Sequence, residues 1–355
     1  MKILVIQQKM IGDVLTSSIL FEVIKTKHPS YKLHYAINEH TVPVVLNNPY
    51  IDKLILIDTE TQKNKAKFYR FLKSIKAERY DVVVDAYSKI SSNLMSIFSK
   101  ANIRISKYKF YTHFLYTHPV TYSKDPLSNA GLAIENRLQL LHPLFDINLK
   151  EEIVKPKIYL TKAEIEQTKT MLVSKNINLD VPIVMVSVLG SSKNKTYPLP
   201  YMAKIIDFLV KKTDMQVLFN YIPNQRNDVD KLFSLCKPHT KQNIKLDIFG
   251  KSLREFLAIT KLCRALIGNE GGAVNMAKAL NVPSFSIFSP WIDKKTWHTF
   301  SNKQNIAIHL NDFKPELFVN KNTKYLKQNT NKLYNAFTPE LIFHDLEMFL
   351  KNLNN

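Results

Sequence analysis

Residues 264–280 have the sequence RALIGNEGGAVNMAKAL, in which a short apolar run is followed by a glycine turn and then by a helical pattern. Gly271 and Gly272 stand where the helix would begin, and because they lack side chains a ligand can approach the backbone closely. The first N–H groups of a helix have no partner within it and lie at its positive dipole end, so this turn suits a diphosphate. The stretch is neither a Walker A loop nor a GxGxxG fingerprint, which excludes the standard P-loop and dinucleotide sites. A tight turn that only requires small residues is the alternative interpretation.

The same strand-to-helix alternation extends through most of the chain. Apolar, β-rich runs alternate with amphipathic segments, which predicts parallel sheets covered by helices on both faces. Strands are predicted at 2–7, 32–37, 53–57, 81–86, 102–105, 183–188, 215–220, 264–267 and 284–288, with a further one within 244–249. Helices are predicted near 13–27, 40–47, 66–78, 89–100, 129–144, 199–212, 225–236, 253–263, 272–280 and 338–352. Between 106 and 128 the pattern loosens into an aromatic, turn-rich stretch. The expected fold class is α/β, with two Rossmann-like doubly wound domains facing a central cleft.

The length of 355 residues suggests two domains, since one domain usually holds about 100 to 200 residues. The charged, proline-containing stretch KEEIVKPKIYL at 150–160 is interpreted as the linker region. We therefore expect an N-terminal domain at 1–165 and a C-terminal domain at 175–335. Over 336–355 we expect a helix that packs back on the N-terminal domain.

The composition is that of a folded protein, with 45% hydrophobic and 23% charged residues. No apolar run approaches the length of about 20 residues that a membrane-spanning helix needs. The first apolar stretch is followed at once by Gln-Gln-Lys, so no secretory signal is predicted. Cys236 and Cys263 lie in apolar helical patterns without a CxxC motif, which argues against a metal cluster or a disulfide framework. We expect a cytoplasmic protein.

The net charge of +20 indicates acidic partners or an anionic surface. A nucleic-acid-binding protein is an alternative from another class, but the basic excess is spread along the chain without a basic tail, and there is no RNP, helix-turn-helix or zinc pattern. That alternative also leaves the placement of the glycines unexplained, so no nucleic-acid partner is expected. A surface that is simply rich in lysine is the plainer explanation.

The densest basic run is KNKAKFYRFLKSIK at 63–76, with six basic residues and no acidic one. Phe68, Phe71, Leu72 and Ile75 recur within it at helical spacing, so one face of the predicted helix is apolar. Two interpretations stay open. The helix either packs on the core with a solvated basic back, or it rests on the anionic inner leaflet of a membrane.

Two more glycine turns follow predicted strands. Residues 190–198 have the sequence GSSKNKTYP, and hydroxyl and ammonium groups before a helix suit phosphate oxygens; a solvated basic loop is the alternative. Residues 10–15 have the sequence MIGDVL, which places Gly12 and then Asp13 in the first turn of a helix. The helix dipole alone would favour a carboxylate there, and a functional role requires Asp13 to face the cleft between the domains.

Three blocks together resemble glycosyltransferase family 9, the lipopolysaccharide heptosyltransferases: KILVIxxxxIGDVL at 2–15, KTYP at 195–198 and GNEGGAVNMAKAL at 268–280. Their order and spacing match the family, and the resemblance covers essentially the whole chain. It implies a GT-B fold, with the acceptor bound by the N-terminal domain and the nucleotide-sugar by the C-terminal one. It further implies an inverting, metal-independent transferase that uses ADP-L-glycero-D-manno-heptose and a lipopolysaccharide core or similar glycolipid acceptor. A same-fold alternative uses another nucleotide-sugar for a different envelope glycan.

The resemblance also implies roles for individual residues. Asp13 matches the catalytic base on the acceptor side, next to Gly12, and Lys195 matches the lysine that contacts the donor phosphates. The residues that it implies for donor binding are Ser191, Ser192, Lys195, Lys251, Ser252, Glu270, Gly271, Gly272 and Asn275. Glu270 stands where the family has Asp and Asn275 where it usually has His, so Lys195 and the helix N-terminus would carry more of the leaving-group charge.

No metal site is expected. A metal-dependent GT-A enzyme needs a carboxylate pair at a strand end, but the DxD string Asp228-Val229-Asp230 falls within a predicted helix and is interpreted as a solvated helix face. The expected partners are the nucleotide-sugar and the glycolipid acceptor, with peripheral contact to the anionic inner membrane.

Overall fold

The computed structural model describes residues 1–149 and 153–354. The chain forms two compact units, Met1–Tyr159 and Leu160–Asn355. The boundary falls within the stretch expected as the linker, of which residues 150–152 lie outside the described residues. The domain limits expected from the sequence differ from this boundary by several residues, because the helix that begins just after the boundary belongs to the second unit.

The first unit is a parallel six-stranded sheet with helices. Its strands are β1 (Lys2–Ile6), β2 (Lys32–Asn38), β3 (Lys53–Ile57), β4 (Val82–Asp85), β5 (Ile103–Lys107) and β6 (His118–Val120). Its helices are α1 (Ile11–Ser17), α2 (Ile19–Lys27), α3 (Thr59–Lys63), α4 (Lys65–Ala77), α5 (Ile90–Ser99) and α6 (Leu132–Gln139). The strands follow one another across the sheet in the order β3-β2-β1-β4-β5-β6, and all neighbours are parallel.

The second unit repeats this architecture. Its strands are β7 (Ile183–Ser187), β8 (Gln216–Asn220), β9 (Ile244–Lys245), β10 (Ala265–Asn269), β11 (Ser284–Ile287) and β12 (Asn305–Ile308). Its helices are α7 (Lys162–Ser174), α8 (Leu199–Lys212), α9 (Arg226–Leu235), α10 (Pro238–Asn243), α11 (Leu253–Leu262), α12 (Gly272–Ala279), α13 (Lys294–Trp297), α14 (Thr323–Gln328), α15 (Thr330–Ala336) and α16 (Phe343–Asn354). The strand order is β12-β11-β10-β7-β8-β9, again parallel throughout.

The apolar strands form the centre of each unit. Every residue of β4 and of β7 is buried, and the four apolar side chains of β1 are fully buried, as expected for strands covered on both faces. This confirms the α/β prediction, with each predicted strand overlapping an observed one. The short strands β6 and β12 and the helix α7 were not predicted, and neither were the short helices α3, α10, α13, α14 and α15.

The strand order reverses between β1 and β4 in the first unit and between β7 and β10 in the second. At such a switch point the two crossover connections leave in opposite directions, so the turns after these strands frame a crevice at the carboxyl edge of the sheet. The turns with Asp13, with Lys195 and with Glu270 follow β1, β7 and β10 respectively. The fold therefore brings the last two turns together at one edge of the second sheet.

The C-terminal helix belongs to the core of the second unit. Residues 339–341 form a short 3-10 turn, and α16 then packs in that core, while its expected packing on the N-terminal domain stays a prediction. Leu346, Phe349 and Leu353 are buried in this core, and Phe343 stacks on Phe208 of α8 at 4.4 Å between ring centroids. The helical spacing of these apolar side chains gives α16 an apolar face that packs against α8.

Helix α4 contains most of the basic run at 63–76, and its packing shows what the apolar face of that run contacts. Phe68, Phe71, Leu72 and Ile75 pack against the core of the first unit, so the lysines form the solvated back of the helix. No helix among the described residues combines the length and the apolarity that crossing a membrane requires.

Candidate active site

Two glycines shape the turn between β10 and α12. Gly268 has a φ of +126°, and a side chain there would meet the carbonyl oxygen of Ser187 in β7 at 2.4 Å, so only glycine allows this close approach of the two strands. Gly271 has a φ of +153°, and apart from its chain neighbours no atom of the described residues lies within 4 Å of the position that its Cβ would take. The turn therefore leaves open space directly before the first N–H groups of α12.

Asn269 fastens the two turns to each other. Its side-chain oxygen accepts a hydrogen bond from the backbone N–H of Tyr197 at 2.6 Å, and its amide nitrogen donates to the carbonyl of Ser187 at 3.0 Å. Asn269 is almost fully buried, so these bonds are shielded from water. The loop after β7 is thereby held against the turn after β10.

Gly190 lets the loop after β7 fold back on itself. A Cβ at Gly190 would lie 2.2 Å from the carbonyl oxygen of Lys195, and the N–H of Gly190 donates to the hydroxyl of Thr196 at 3.0 Å. The N–H of Lys195 donates to the carbonyl of Ser192 at 2.9 Å, which closes a short 3-10 turn. This compact turn fixes the point from which the side chain of Lys195 leaves the backbone.

Ser289 and Trp291, which both follow β11, hold the Lys195 turn from the other side. The hydroxyl of Ser289 and the indole N–H of Trp291 both donate to the carbonyl of Asn194, at 2.6 and 2.8 Å. The Nζ of Lys195 lies 5.4 Å from the centre of a ring of Trp291, and the Nζ of Lys327 lies 5.0 Å from it. Trp291 thus brings two ammonium groups together, which the sequence did not indicate.

Lys195 and Glu270 form an ion pair beside this turn. The distance from Nζ to Oε1 is 3.7 Å, longer than a hydrogen bond, and among the described residues Oε1 of Glu270 has no hydrogen-bond partner. Burial raises the pKa of the Glu270 carboxyl, and the charge of Lys195 opposes that rise. A buried carboxylate that is only loosely paired leaves Lys195 available to a more strongly charged anion.

Ser191 and Ser192 line a cavity on the same loop. Its volume is about 410 Å³, and Gly190, Gln225 and Tyr334 are among the residues that contribute to its wall. The hydroxyl of Ser192 donates to the side-chain oxygen of Asn194 at 2.7 Å. Both serines therefore lie at the loop where the sequence placed them, beside the Lys195 turn.

Lys251 and Ser252 make hydrogen bonds that stabilise the start of α11, which is a structural reason for their presence. Ser252 caps α11 by accepting from the N–H of Glu255 at 3.2 Å, and the N–H of Lys251 donates to the Glu255 carboxylate at 2.8 Å. Asn275 lies one turn into α12, and its N–H reaches the carbonyl of Gly271 at 3.4 Å. Of the residues implied for donor binding, those in the Lys195 turn and in the turn before α12 lie together. The hydrogen bonds of Lys251 and Ser252 described above are made at the start of α11.

Asp13 lies in the first turn of α1, as predicted. Its Oδ1 accepts a hydrogen bond from Nη2 of Arg137 at 2.9 Å, and Nε of the same arginine donates to the hydroxyl of Ser17 at 3.3 Å. The side chain of Asp13 is one-quarter exposed, so it is held and still accessible. Arg137 comes from α6, more than a hundred residues further along, and no local motif pointed to it.

A second carboxylate lies across the switch point of the first unit. Asp85 ends β4 and is fully buried, which raises the pKa of its carboxyl. It accepts from the N–H of Ser88 at 2.7 Å and from the hydroxyl of Tyr116 at 2.6 Å. Asp85 therefore ties the turn after β4 to the segment between β5 and β6.

The DxD string lies within α9, as predicted. Asp228 is half-exposed and lies 3.6 Å from Lys231, while Asp230 pairs with Arg226 at 2.8 Å. Within 1–149 and 153–354, no three or more His, Cys, Asp or Glu side chains are grouped as a metal site would require.

Two parallel units of Rossmann topology, the second with a cationic turn at its switch point, form the GT-B fold. Residues 68–326 match the model of glycosyltransferase family 9 (heptosyltransferase), and the chain belongs to this family. Lipopolysaccharide heptosyltransferase 1 of Campylobacter coli is 24% identical over 297 residues, which are 81% of this chain and 84% of that protein.

Two solved structures share the fold. The glycosyl transferase family 9 protein from Veillonella parvula superimposes with a TM-score of 0.79 at 18% identity, covering 99% of this chain and 97% of that one. The E. coli ADP-heptose lps heptosyltransferase II gives a TM-score of 0.71 at 15% identity, covering 94% of this chain and 98% of that one.

Proposed function

We propose that this enzyme transfers heptose from ADP-heptose to a lipopolysaccharide core acceptor, with inversion at the anomeric carbon and without a divalent metal. The observation that carries the proposal is the cationic turn of the second unit, where Lys195 lies beside Glu270 and the open space at Gly271. The names of the Campylobacter coli relative and of the E. coli structure support lipopolysaccharide as the acceptor class and ADP-heptose as the donor.

On the donor side, the diphosphate lies at the start of α12. As the bond between the anomeric carbon and the diphosphate oxygen breaks, its electron pair stays on the leaving ADP. Lys195 and the first N–H groups of α12 stabilise this growing negative charge, and they do so without having to reorganise. Ser191 and Ser192, on the loop that carries Lys195, offer hydroxyl donors to the same diphosphate.

On the acceptor side, Asp13 accepts the proton of the attacking hydroxyl. The new bond forms on the face of the sugar opposite to the leaving group, which inverts the anomeric configuration. Arg137 holds Oδ1 of Asp13 at 2.9 Å and thereby fixes the orientation of the carboxylate. General base catalysis of this kind contributes about 10² to 10⁴ in rate.

The proposal is tested by measuring heptose transfer from ADP-heptose to a short, water-soluble lipopolysaccharide core acceptor. Asp13→Asn is expected to lower kcat by about 10² to 10⁴ with donor affinity little changed. Lys195→Ala is expected to weaken ADP binding by about 1.5 to 3 kcal/mol, the scale of a charged hydrogen bond, while the matched variant Lys193→Ala is expected to leave it unchanged.

Three results would contradict the proposal. Near-normal turnover in Asp13→Asn would remove Asp13 as the base, and a product with retained configuration would exclude a single displacement. Loss of activity in EDTA with recovery in Mn²⁺ would show that Lys195 and α12 do not supply enough positive charge. Calorimetry with ADP, GDP and UDP tests the alternative donor classes, and preference for GDP or UDP would favour the alternative of a different envelope glycan.

The proposal places the enzyme on the cytoplasmic side of the inner membrane, because nucleotide-sugars are made in the cytoplasm and the acceptor is a glycolipid. Peripheral contact with the anionic leaflet would bring the enzyme to this acceptor, and the net charge of +20 supports such contact. No nucleic-acid partner is proposed.

A further inference from the structure

The stretch from residue 86 through residue 124, which follows β4, carries charge of one sign. It contains no Asp or Glu, and it holds Lys89, Lys100, Arg104, Lys107, Lys109 and Lys124. Lys89 follows the carboxyl end of β4, and Lys107 and Lys109 lie at the carboxyl end of β5. These three lysines therefore place positive charge at the carboxyl edge of the first sheet.

Four aromatic side chains of the same segment project into solvent, and we name them the aromatic face: Tyr108, Phe110, Tyr111 and Phe114. Phe110 is 83% exposed, Phe114 71% and Tyr111 70%. Ile90, at the start of α5, is also largely exposed. Single exposed apolar side chains are ordinary, but several large rings together in one turn mark a surface that binds a partner.

Hydrogen bonds hold the segment that carries the aromatic face. The N–H of Tyr108 donates to the carbonyl of Val120 at 2.7 Å, and the hydroxyl of Tyr116 donates to the buried carboxylate of Asp85 at 2.6 Å. The ammonium group of Lys109 donates to the carbonyl of Ser88. The backbone is therefore fixed at both ends, and the exposure of the rings is a property of the folded unit.

Three ammonium groups lie close to the aromatic face. Lys89 and Lys107 are exposed, and their charges add to burial in lowering the pKa of Lys109. The acidic group that acts on Lys109 is Asp85, which is buried below the surface. The surface around the rings thus carries positive charge from Lys89 and Lys107.

We propose that the aromatic face docks on an anionic lipid bilayer, with its rings in the interfacial layer and Lys89 and Lys107 at the headgroups. Aromatic rings favour the membrane interface, and basic side chains within a Debye length of an anionic leaflet are attracted to it. A phosphate-bearing partner alone would select the lysines and leave the rings in water, and a neutral apolar partner would select the rings without the lysines. An anionic bilayer accommodates both.

The docking surface lies where a lipid-linked acceptor would be useful. The carboxyl ends of parallel strands share one edge of a sheet, so the turn after β5 lies on the same edge of the first unit as Asp13 after β1. This step rests on the proposed function, since only a membrane-borne acceptor benefits from that placement. Membrane binding itself does not depend on the reaction and is measured separately.

The test uses the full chain and vesicles of equimolar phosphatidylglycerol and phosphatidylethanolamine at low salt. Phe110→Ser, Tyr111→Ser and Phe114→Ser are combined in one variant, since these exposed side chains contribute little to the core. We expect the vesicle-bound fraction to fall at least about tenfold. The matched variant carries Lys63→Gln, Lys65→Gln, Lys67→Gln and Lys73→Gln on the basic back of α3 and α4, and it is expected to stay bound.

Each outcome decides the proposal. Binding that survives the triple substitution, or that is lost only in the matched lysine variant, would overturn the aromatic face as the docking surface. Equal binding of the wild-type chain to phosphatidylcholine vesicles would overturn the requirement for anionic lipid. Loss of transfer to a water-soluble acceptor in the triple variant, with vesicle binding retained, would assign the face to the acceptor saccharide instead. Absence of any transfer by a wild-type chain that binds vesicles would count against the proposed function and leave the docking surface supported.

Discussion

At the scale of a single residue, the carboxylate of Asp13 is bound by one guanidinium group, that of Arg137. We derive a kinetic prediction from this pairing. Arg137 donates to Oδ1 of Asp13, and no other cationic side chain is paired with that carboxylate among the described residues. Arg137→Gln removes the bond that orients Oδ1, so the carboxylate of Asp13 is no longer held in one position. We expect kcat for sugar transfer to fall about tenfold while KM for the donor stays unchanged, as measured by steady-state kinetics.

Arg137→Lys keeps a cationic donor and is expected to restore kcat in part, although a lysine cannot reproduce both guanidinium bonds. Arg70→Gln, which alters an exposed arginine of α4, serves as the control and should leave kcat unchanged. A lowered melting temperature in Arg137→Gln, with no recovery of kcat in Arg137→Lys, would indicate that Arg137 has a packing role only.

From the burial of Glu270 and its pairing with Lys195 we predict that ADP binding depends on pH. Burial raises the folded-state pKa of its carboxyl, and a bound diphosphate adds negative charge nearby and competes for Lys195. ADP therefore favours the protonated carboxyl, so binding takes up a proton and strengthens as the pH falls toward that raised pKa. Glu270→Gln removes the competing charge and is expected to tighten ADP binding several-fold at pH 8 and to flatten its pH dependence.

Calorimetry with ADP at pH 6 and pH 8, in buffers of different ionisation enthalpy, measures both affinity and proton uptake. Asp214→Asn, in an exposed carboxyl that follows α8, is the control and should change neither. Weaker ADP binding in Glu270→Gln at both pH values would mean that the carboxylate positions Lys195 more than it competes with the ligand.

At the scale of an element, substitutions of two glycines in adjoining turns are expected to distinguish an effect on stability from an effect on ADP binding. A Cβ at Gly190 would meet the Lys195 carbonyl oxygen at 2.2 Å, so Gly190→Ala must distort the loop and is expected to cost about 1 to 3 kcal/mol of stability as well as ADP affinity. A Cβ at Gly272 would meet only Met276 Cε at 3.9 Å, so Gly272→Ala should leave the melting temperature unchanged or higher.

The methyl group introduced by Gly272→Ala would lie where the diphosphate is proposed to approach α12. We expect ADP affinity to fall about tenfold in this variant with no loss of stability, as measured by calorimetry and thermal unfolding together. Unchanged ADP affinity in Gly272→Ala would place the diphosphate away from the start of α12. Loss of stability in Gly272→Ala would instead show that the space before the helix is filled in the folded protein.

The elements that the sequence predicted are those with strong local signals. Continuous apolar runs such as VVVD at 82–85 define buried strands, whereas β6 is only three residues long and contains a proline. Helix α7 was missed although it begins with a capping box, in which Thr161 and Glu164 bond each other's backbone N–H groups. Its pattern of apolar residues is weak, so the cap was the usable signal.

In the candidate site too, residues with a strong local sequence signal could be predicted and the others could not. Gly190, Lys195, Glu270 and Gly271 stand in turns after apolar strands, so the sequence could place them at a strand edge. Arg137 reaches Asp13 in the first unit, and Trp291 and Lys327 reach the Lys195 turn in the second, each from a distant segment. No local pattern distinguishes these side chains from other surface or core residues. Long-range contacts of this kind depend on the packing of the folded unit and could not be predicted from spacing.

At the scale of the whole molecule, the two units differ in what they should do alone. Lys195, Glu270 and Gly271 all belong to the unit Leu160–Asn355, which has its own core and its own sheet. We expect a fragment of residues 160–355 to fold and to bind ADP with an affinity close to that of the full chain, and to transfer no sugar because it lacks Asp13. Failure of a folded fragment to bind ADP would show that residues of Met1–Tyr159 contribute to the nucleotide site.

The C-terminal helix decides whether that fragment can fold. Ile342, Leu346 and Phe349 are fully buried in the core of the second unit, and Leu350 and Leu353 are nearly so. Loss of a large buried apolar side chain costs about 2 to 5 kcal/mol, so losing five of them costs about 10 to 25 kcal/mol, which is comparable to or larger than the total stability of about 5 to 15 kcal/mol of a typical domain. A fragment of residues 160–341 is therefore expected to show no cooperative unfolding transition and no ADP binding, whereas 160–355 shows both. Cooperative melting of the shorter fragment would mean that α8 and the strands behind it form a stable core without α16, and the helix would then be an addition to the unit and not part of its fold.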